Sequence, residues 1–212
     1  MRITKIETFL LHVPVTGRHI SDSLHQITHW GVPGVMLHTD TGLTGYGYTG
    51  THAHLPTDRL ITGAIEHTYG PLLVGEEADN VLGLWRKLNR FPPAQWVGRA
   101  GILKMAMAAV DIALWDLKAK AAHLPLWRLL GGARQSIPAY HTDCGWLSIP
   151  TPELAGGCRK LVEEDGWSGL KIKIGHPDPE CDFERLQAVR WAVGPGVRLM
   201  VDANGALDLP SG

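Results

Sequence analysis

The sequence predicts an α/β protein: a sheet-plus-helix unit followed by two and a half parallel βα units. Three observations carry that reading. A strand and a hairpin pattern precede one long amphipathic helix. After Gly132, strand and helix patterns alternate. The segments that join them are short, as parallel βα units require.

Residues 1–15 alternate in strand fashion, with Ile3, Ile6 and the run Phe9–Val13 predicting a strand that becomes more buried along its length. Residues 16–31 are polar, His-rich and Gly-bounded, and read as a loop. VPGVMLHTDTGLTGYGYTG then reads as a hairpin that turns at DTG. Residues 57–90 contain two helical stretches, with Pro71 and Gly75 between them. The clearest helix is 101–121, where Ile102, Met105, Ala106, Ala109, Val110, Ala113, Leu114 and Leu117 recur at helical spacing. Its face is mostly small, so another backbone can approach closely. Pro125 opens a short helix that Gly131-Gly132 ends.

The rhythm then changes. SIPAYHTDC is a strand, TPELAGGCRKLVEEDG a helix and SGLKIKIG a strand. PECDFERLQAVRWAVG is a helix with apolar Phe183, Leu186, Val189 and Val193, and VRLMVDANG is a strand again. These patterns place a domain boundary between residues 133 and 134.

At 212 residues the chain is long enough for one large or two small cores. A formal net charge of -1 and the lack of a Lys/Arg run argue against nucleic acid or an anionic membrane as partner. The three cysteines, Cys144, Cys158 and Cys181, form no CxxC pair, which predicts reduced thiols and neither a disulfide framework nor a zinc site. The first residues lack the ordered sections of a signal peptide, and no apolar run is long enough to span a bilayer. A soluble, cytoplasmic protein is expected.

The chemistry concentrates on two consecutive strands. In GLKIKIG, Leu170, Ile172 and Ile174 share one side, and Lys171 and Lys173 the other. With helices covering the apolar side, the lysines point into a barrel or toward its mouth. Burying two ammonium groups is costly unless they meet anions or do chemistry. A solvated edge strand with exposed lysines is the alternative. In VRLMVDANG, Met200, Asp202 and Asn204 share a side, and Asp202 lies near the strand's C-terminal end, where α/β barrels build active sites. Asp-x-Asn there can offer oxygen ligands to Mg²⁺, though Asn-Gly is also a common turn pair. Together the two strands suit metal-assisted proton abstraction. A proton alpha to a carboxylate is a weak acid, and a divalent cation stabilises the enediolate left behind. A lysine serves as base when a second ammonium lowers its pKa, which Lys171 beside Lys173 can do.

K-x-K followed by V-D-A-N-G on the next strand resembles the mandelate racemase branch of the enolase superfamily. Residues 108–132, AAVDIALWDLKAKAAHLPLWRLLGG, are similar to that family's linker helix and its Pro-Leu-x-x-Leu-Leu-Gly-Gly ending. Residues 40–49, DTGLTGYGYT, are similar to its N-terminal hairpin. The resemblance runs from Met1 to about Gly205 and implies an α+β capping domain (1–133) followed by the first part of a modified TIM-type (β/α)7β barrel (134–212). It implies Lys173 as base, Lys171 as its pKa-lowering neighbour, Asp202 as a Mg²⁺ ligand and Asn204 as a polar contact to substrate. His25, His29 and Trp30 fall in the loop that covers substrate in such enzymes, although they read equally well as ordinary loop residues. The implied activity is alpha-proton abstraction from a carboxylate, a sugar acid, leading to dehydration. Racemisation or cycloisomerisation by the same chemistry is the alternative, and a homo-oligomer is expected of the complete enzyme. Two further carboxylate ligands would come from later strands, and the sequence ends at LDLPSG. The chain as given is therefore expected to be truncated and catalytically silent, with an inactive fragment or assembly subunit as the competing reading.

Other patterns carry less. Gly45-x-Gly47-x-x-Gly50 matches a dinucleotide fingerprint formally but reads as a hairpin arm. His52 and His54 have no ligand cluster beside them. Asp111 and Asp116 are five apart and suit surface salt bridging or capping. Trp115 and Trp127 read as packing anchors between the two domains.

Overall fold

A computed structural model describes residues 1–17, 20–98 and 100–208. Strand β1 (Ile3–Pro14) leads into a small hairpin, β2 (Ile20–Ser21) and β3 (Gln26–Ile27). Strands β4 (His29–Thr39) and β5 (Thr44–Tyr48) follow. Helices α1 (Leu55–Gly63), α2 (Gly70–Leu73), α3 (Val81–Asn89), α4 (Pro92–Val97), α5 (Ile102–Ala121) and α6 (Leu126–Leu129) come next. The remainder is α7 (Thr151–Glu163), β6 (Gly169–Lys173), α8 (Pro179–Val193) and β7 (Arg198–Asp202). The chain forms two compact units. One holds Met1–Pro14 and His29–Gln135; the other holds Val15–Thr28 and Ser136–Gly212. The β2–β3 hairpin thus belongs to the second unit, although it interrupts the first in sequence. Among the described residues, no helix is long and apolar enough to cross a membrane.

In the first unit the sheet order is β1-β4-β5, antiparallel throughout. Pairing of β1 with β4 continues to Val13↔Trp30 and Pro14↔His29. That corrects the loop expected over 16–31. His29 and Trp30 are strand residues, because the β1 ladder runs long enough to recruit them. The helical region differs too. Pro71 does not separate two helices. A π-helical turn over Ala64–Tyr69 joins α1 to α2, and its wider loop lets the Gly70 N–H reach Ile65 O just before Pro71, which has no N–H to give.

Helix α5 buries Ala106, Ala109, Val110, Ala113, Leu114 and Leu117 in the core of this unit. Its small residues have a specific neighbour, the glycine arm β5. A Cβ on Gly47 would meet Ala109 O at 1.9 Å and Ala113 N at 2.6 Å, and one on Gly45 would meet Ala113 O at 2.3 Å. The Gly45/Gly47 pattern therefore serves backbone-to-backbone packing, not a phosphate. Polar contacts fix the same register. Asp116 Oδ2 accepts from the Tyr46 N–H (2.9 Å) and from Lys120 Nζ (2.5 Å), while Lys120 also reaches Thr44 O (2.8 Å). At the end of α6, the Gly132 N–H returns to Trp127 O, with Gly131 at φ +78°. Trp115 packs against the core of this unit, and Arg128 lies over the Trp127 ring.

In the second unit β6 and β7 pair in parallel, with Leu170, Ile172, Cys158, Val189, Leu154 and Ile149 forming the core beside α7 and α8. Two expectations need correction. The strand expected over 136–144 is reduced to one bridge, His141↔Leu170. Residues 136–140 are exposed, and a turn closed by Gly145 N–H to Thr142 O breaks the ladder after His141. On α8, Phe183 faces outward at 57% exposure, and Arg185 takes an inward position. Its Nη1 donates to Ile149 O (2.7 Å) and its Nη2 to Trp146 O (3.1 Å), which offsets much of the cost of burial, while Nε is buried without a partner.

The β5–α5 contact gives a test. Gly47→Ala should lower stability by about 1–3 kcal/mol, because the added methyl overlaps main-chain atoms that cannot rotate away. Urea unfolding of the variant measures this, and an unchanged midpoint would contradict the contact.

Candidate active site

The parallel register sets Lys171 opposite Met200 and Lys173 opposite Asp202. Alternation along β6 sends Leu170 and Ile172, both fully buried, into the core, and both lysines to the other face. There the ammonium groups converge. Lys173 Nζ lies 2.8 Å and Lys171 Nζ 3.1 Å from Asp202 Oδ2. Lys173 Nζ also donates to Asn204 Oδ1 at 2.6 Å. Lys173 is only 8% exposed, so it is the member of the pair withdrawn from water. The exposed edge-strand alternative for these lysines does not hold.

Asp202 closes β7. After it the chain turns, with Asn204 at φ +48° and Gly205 at φ +80°, and the Asn204 N–H donates to Asp202 Oδ1 (3.0 Å). Asn204 is thus a turn residue whose side chain still reaches the strand face. The turn reading holds, and the Asn204 side chain contacts Lys173 on that face. The hydrogen bond from Lys173, then that from the Asn204 N–H, hold the Asp202 carboxyl well below the usual carboxylate range; burial opposes them, and Lys171 adds a smaller lowering. Two cations face one carboxylate, so the cluster retains positive charge suited to a further anion.

Several residues that sequence patterns left unmarked build the surroundings. The Trp146 ring lies 5.4 Å from Lys173 Nζ, and the Tyr140 ring 5.9 Å from Lys171 Nζ. The Lys173 N–H donates to Gly145 O (2.7 Å), and a Cβ on Gly145 would meet Lys171 O at 2.5 Å, so this segment lies directly on β6. Asp182 Oδ2 accepts from the N–H groups of Gly175 and His176 and so holds the loop that follows β6. The acid in the first turn of α8 was a signal available in sequence, whereas Tyr140 and Trp146 stand far ahead of Lys171 and Lys173 in the chain and meet them only on folding.

The β2–β3 hairpin belongs to the same unit. Ser23 Oγ donates to Ala203 O (2.5 Å), next to Asp202. His25 sits on this hairpin with Nδ1 3.0 Å from Asp22 Oδ1. Burial works against the Asp22 carboxylate, yet donors from the Leu24 and His25 N–H groups and the His25 ring keep it below its ordinary range. His29 and Trp30 lie on β4 in the first unit, where the Trp30 ring meets His52 edge-on at 5.6 Å. The lysine–carboxylate cluster therefore gathers Lys171, Lys173, Asp202 and Asn204, with the His25 hairpin joined to it through Ser23.

A hard divalent cation takes oxygen ligands. Asp202 and Asn204 present oxygens at a strand end, but among the described residues no three His, Cys, Asp or Glu side chains group as a metal cage. The described residues fit one carboxylate ligand of such a site and do not complete it.

Comparison with known proteins agrees with this architecture. Residues 5–131 match the family described as mandelate racemase / muconate lactonizing enzyme, N-terminal domain, and residues 153–212 match the enolase C-terminal domain-like family. The chain is 32% identical over 203 residues to the 3,6-anhydro-alpha-L-galactonate cycloisomerase of Streptomyces coelicolor, covering 95% of this chain and 54% of that protein. It is 40% identical over 136 residues to the L-talarate/galactarate dehydratase of Salmonella typhimurium, covering 64% and 33%. The crystal structure of a racemase from Streptomyces coelicolor with bound magnesium superposes with a TM-score of 0.90 at 30% identity, covering 99% of this chain and 57% of that one. The chain spans about half the length of the curated relatives it matches most fully. An α+β capping domain and the first part of a (β/α) barrel, with the hairpin, helix and strand motifs in order, place the chain in the mandelate racemase/muconate lactonizing enzyme family of the enolase superfamily.

Proposed function

We propose that this chain carries the base and one metal ligand of an enzyme that removes the alpha proton of a sugar-acid carboxylate and so dehydrates it. The observation that carries the reading is the convergence of Lys171 and Lys173 on Asp202 at the C-terminal ends of adjacent parallel strands. Lys173, withdrawn from water and braced by Gly145 and Trp146, is the residue to take the proton at Nζ. Lys171 is its cationic neighbour, and Asn204 orients the Lys173 ammonium through Oδ1. Asp202 would be one oxygen ligand of Mg²⁺. A cation bound there would supply positive charge beside the substrate's carboxylate. His25, which pairs with Asp22 on the hairpin tied to Ala203, is the residue this reading assigns to meet a substrate from the loop side.

A sugar acid is favoured as substrate because the cycloisomerase and the dehydratase relatives both act on acids of that kind. Dehydration is preferred on the 40% identity to the dehydratase. Cycloisomerisation is the second reading, supported by a relative that covers 95% of the chain. Both begin with the same proton removal.

Three outcomes test this. In the intact protein with Mg²⁺ and a panel of sugar acids in D₂O, the alpha proton should exchange, and Lys173→Ala should slow that exchange by roughly 10²-fold or more. Exchange at the wild-type rate in that variant would remove Lys173 as base. Asp202→Asn should weaken Mg²⁺ affinity about tenfold or more by calorimetry, and unaltered affinity would remove Asp202 as ligand. The third outcome concerns acid stability. A carboxylate held below its ordinary value of about 3.9 contributes stability that is complete above that pH and is lost as pH falls toward the depressed value. Lys173→Met should therefore lose less stability than the wild type on going from about pH 4 to about pH 2. Parallel urea curves at the two pH values decide it, and equal losses would contradict the ion pair.

A further inference from the structure

We propose that Cys144 and Cys158 form a redox modification site, a thiol pair that hydrogen peroxide converts reversibly to a disulfide. All three cysteines are free thiols. The Cys158 S–H donates to Cys144 Sγ at 3.7 Å, across 14 positions of sequence. A disulfide bond is about 2.05 Å long, so the sulfurs need to close by less than 2 Å. Cys144 lies on the turn between His141 and Gly145, while Cys158 lies on α7. One partner is thus on a turn and the other on a helix.

The two thiols have unlike surroundings, and the difference assigns their roles. Cys158 is fully buried, and its thiol is pushed up because it donates to Cys144 and because burial disfavours the thiolate. Arg185 adds positive charge on its side. Cys144 is half-buried and reachable. The hydrogen bond from Cys158 pulls its thiol down, burial opposes this, and His141 adds to the lowering. The His141 ring is fixed edge-on against Trp167 at 5.2 Å, and its Nδ1 is buried without a partner. A thiolate is the reactive form, so Cys144 attacks and Cys158 resolves. Cys181 provides an internal contrast. Partial burial and the carboxylates Asp178, Glu184 and Asp182 push its thiol up.

The chemistry balances. The Cys144 thiolate attacks one peroxide oxygen, the O–O bond breaks, and hydroxide leaves with Cys144 as the sulfenic acid. Cys158 sulfur then attacks Cys144 sulfur, the S–S bond forms and the S–O bond breaks. The leaving hydroxide takes the Cys158 proton as water. Two electrons pass from the sulfurs to peroxide, and a dithiol returns them on reduction. Cys144 immediately precedes Gly145, whose carbonyl holds the Lys173 N–H, and Trp146, whose ring faces Lys173 Nζ. The modification would thus fall on the segment that braces the site lysine.

The test reads mass and does not depend on the proposed reaction. Both cysteines fall in the tryptic peptide 135–159, and Glu153 lies between them. The reduced protein is treated with a small excess of hydrogen peroxide, and remaining thiols are alkylated. Peptide 135–159 should then carry no alkyl group and weigh less by two hydrogens. Its pieces should stay joined after cleavage at Glu153 until dithiothreitol separates them, while Cys181 is alkylated throughout. In Cys158→Ser, dimedone should trap the sulfenic acid at Cys144. Alkylation of both Cys144 and Cys158 after peroxide would overturn the proposal. So would over-oxidation of Cys144 in the wild type with Cys158 still alkylated. The wild-type measurement decides the matter even where the variant fails to fold.

Discussion

The parallel register of β6 and β7 puts Lys173 opposite Asp202, and the candidate site depends on that pairing. Lys173 is buried, and a buried ammonium without an anion would be expensive. Asp202 and Asn204 supply the oxygens that make its position tolerable. The dependence is mutual, since the same lysines hold the carboxylate ionised. A shift of register by one residue would send the lysines into the apolar core and Leu170 and Ile172 to the open face.

That register is defended from several sides. Leu170 and Ile172 anchor one face against α7 and α8. The Gly145 carbonyl takes the Lys173 N–H from the strand's other edge, and the close approach of Gly145 to β6 leaves no room for a side chain. Arg185 holds the 146–149 segment through two carbonyls, and Asp182 holds the loop after β6 through two N–H groups. Arg185 and Asp182 both belong to α8. One helix therefore positions the loops on both sides of the lysine strand by charge-assisted bonds to main-chain atoms.

The first unit solves a different problem by a similar device. A three-stranded antiparallel sheet must cover one face, and α5 does so at backbone contact distance because β5 contributes Gly45 and Gly47 while α5 contributes Ala109 and Ala113. The Asp116–Lys120 pair then fixes how far the helix slides along the strand, using the Tyr46 N–H and Thr44 O.

Much of this was legible in the residues alone. Period-two alternation in GLKIKIG put the lysines on one face, and the small-residue stripe of α5 announced a close neighbour. Asp202 at the end of its strand pointed to the candidate site, since patterns of this kind are local and a strand or helix obeys them wherever it sits. The tertiary structure decided what depends on distant partners. His29 and Trp30 became strand residues because β1 offered a ladder from far away in sequence. The strand expected at 136–144 shrank to one bridge because a turn competed with the ladder. Phe183 turned outward and Arg185 inward because two carbonyls were waiting for a guanidinium. The β2–β3 hairpin joined the second unit through Ser23. Hydrophobic periodicity reports which face of an element is apolar, but the partner that satisfies a buried polar group is set by chain segments brought together only on folding.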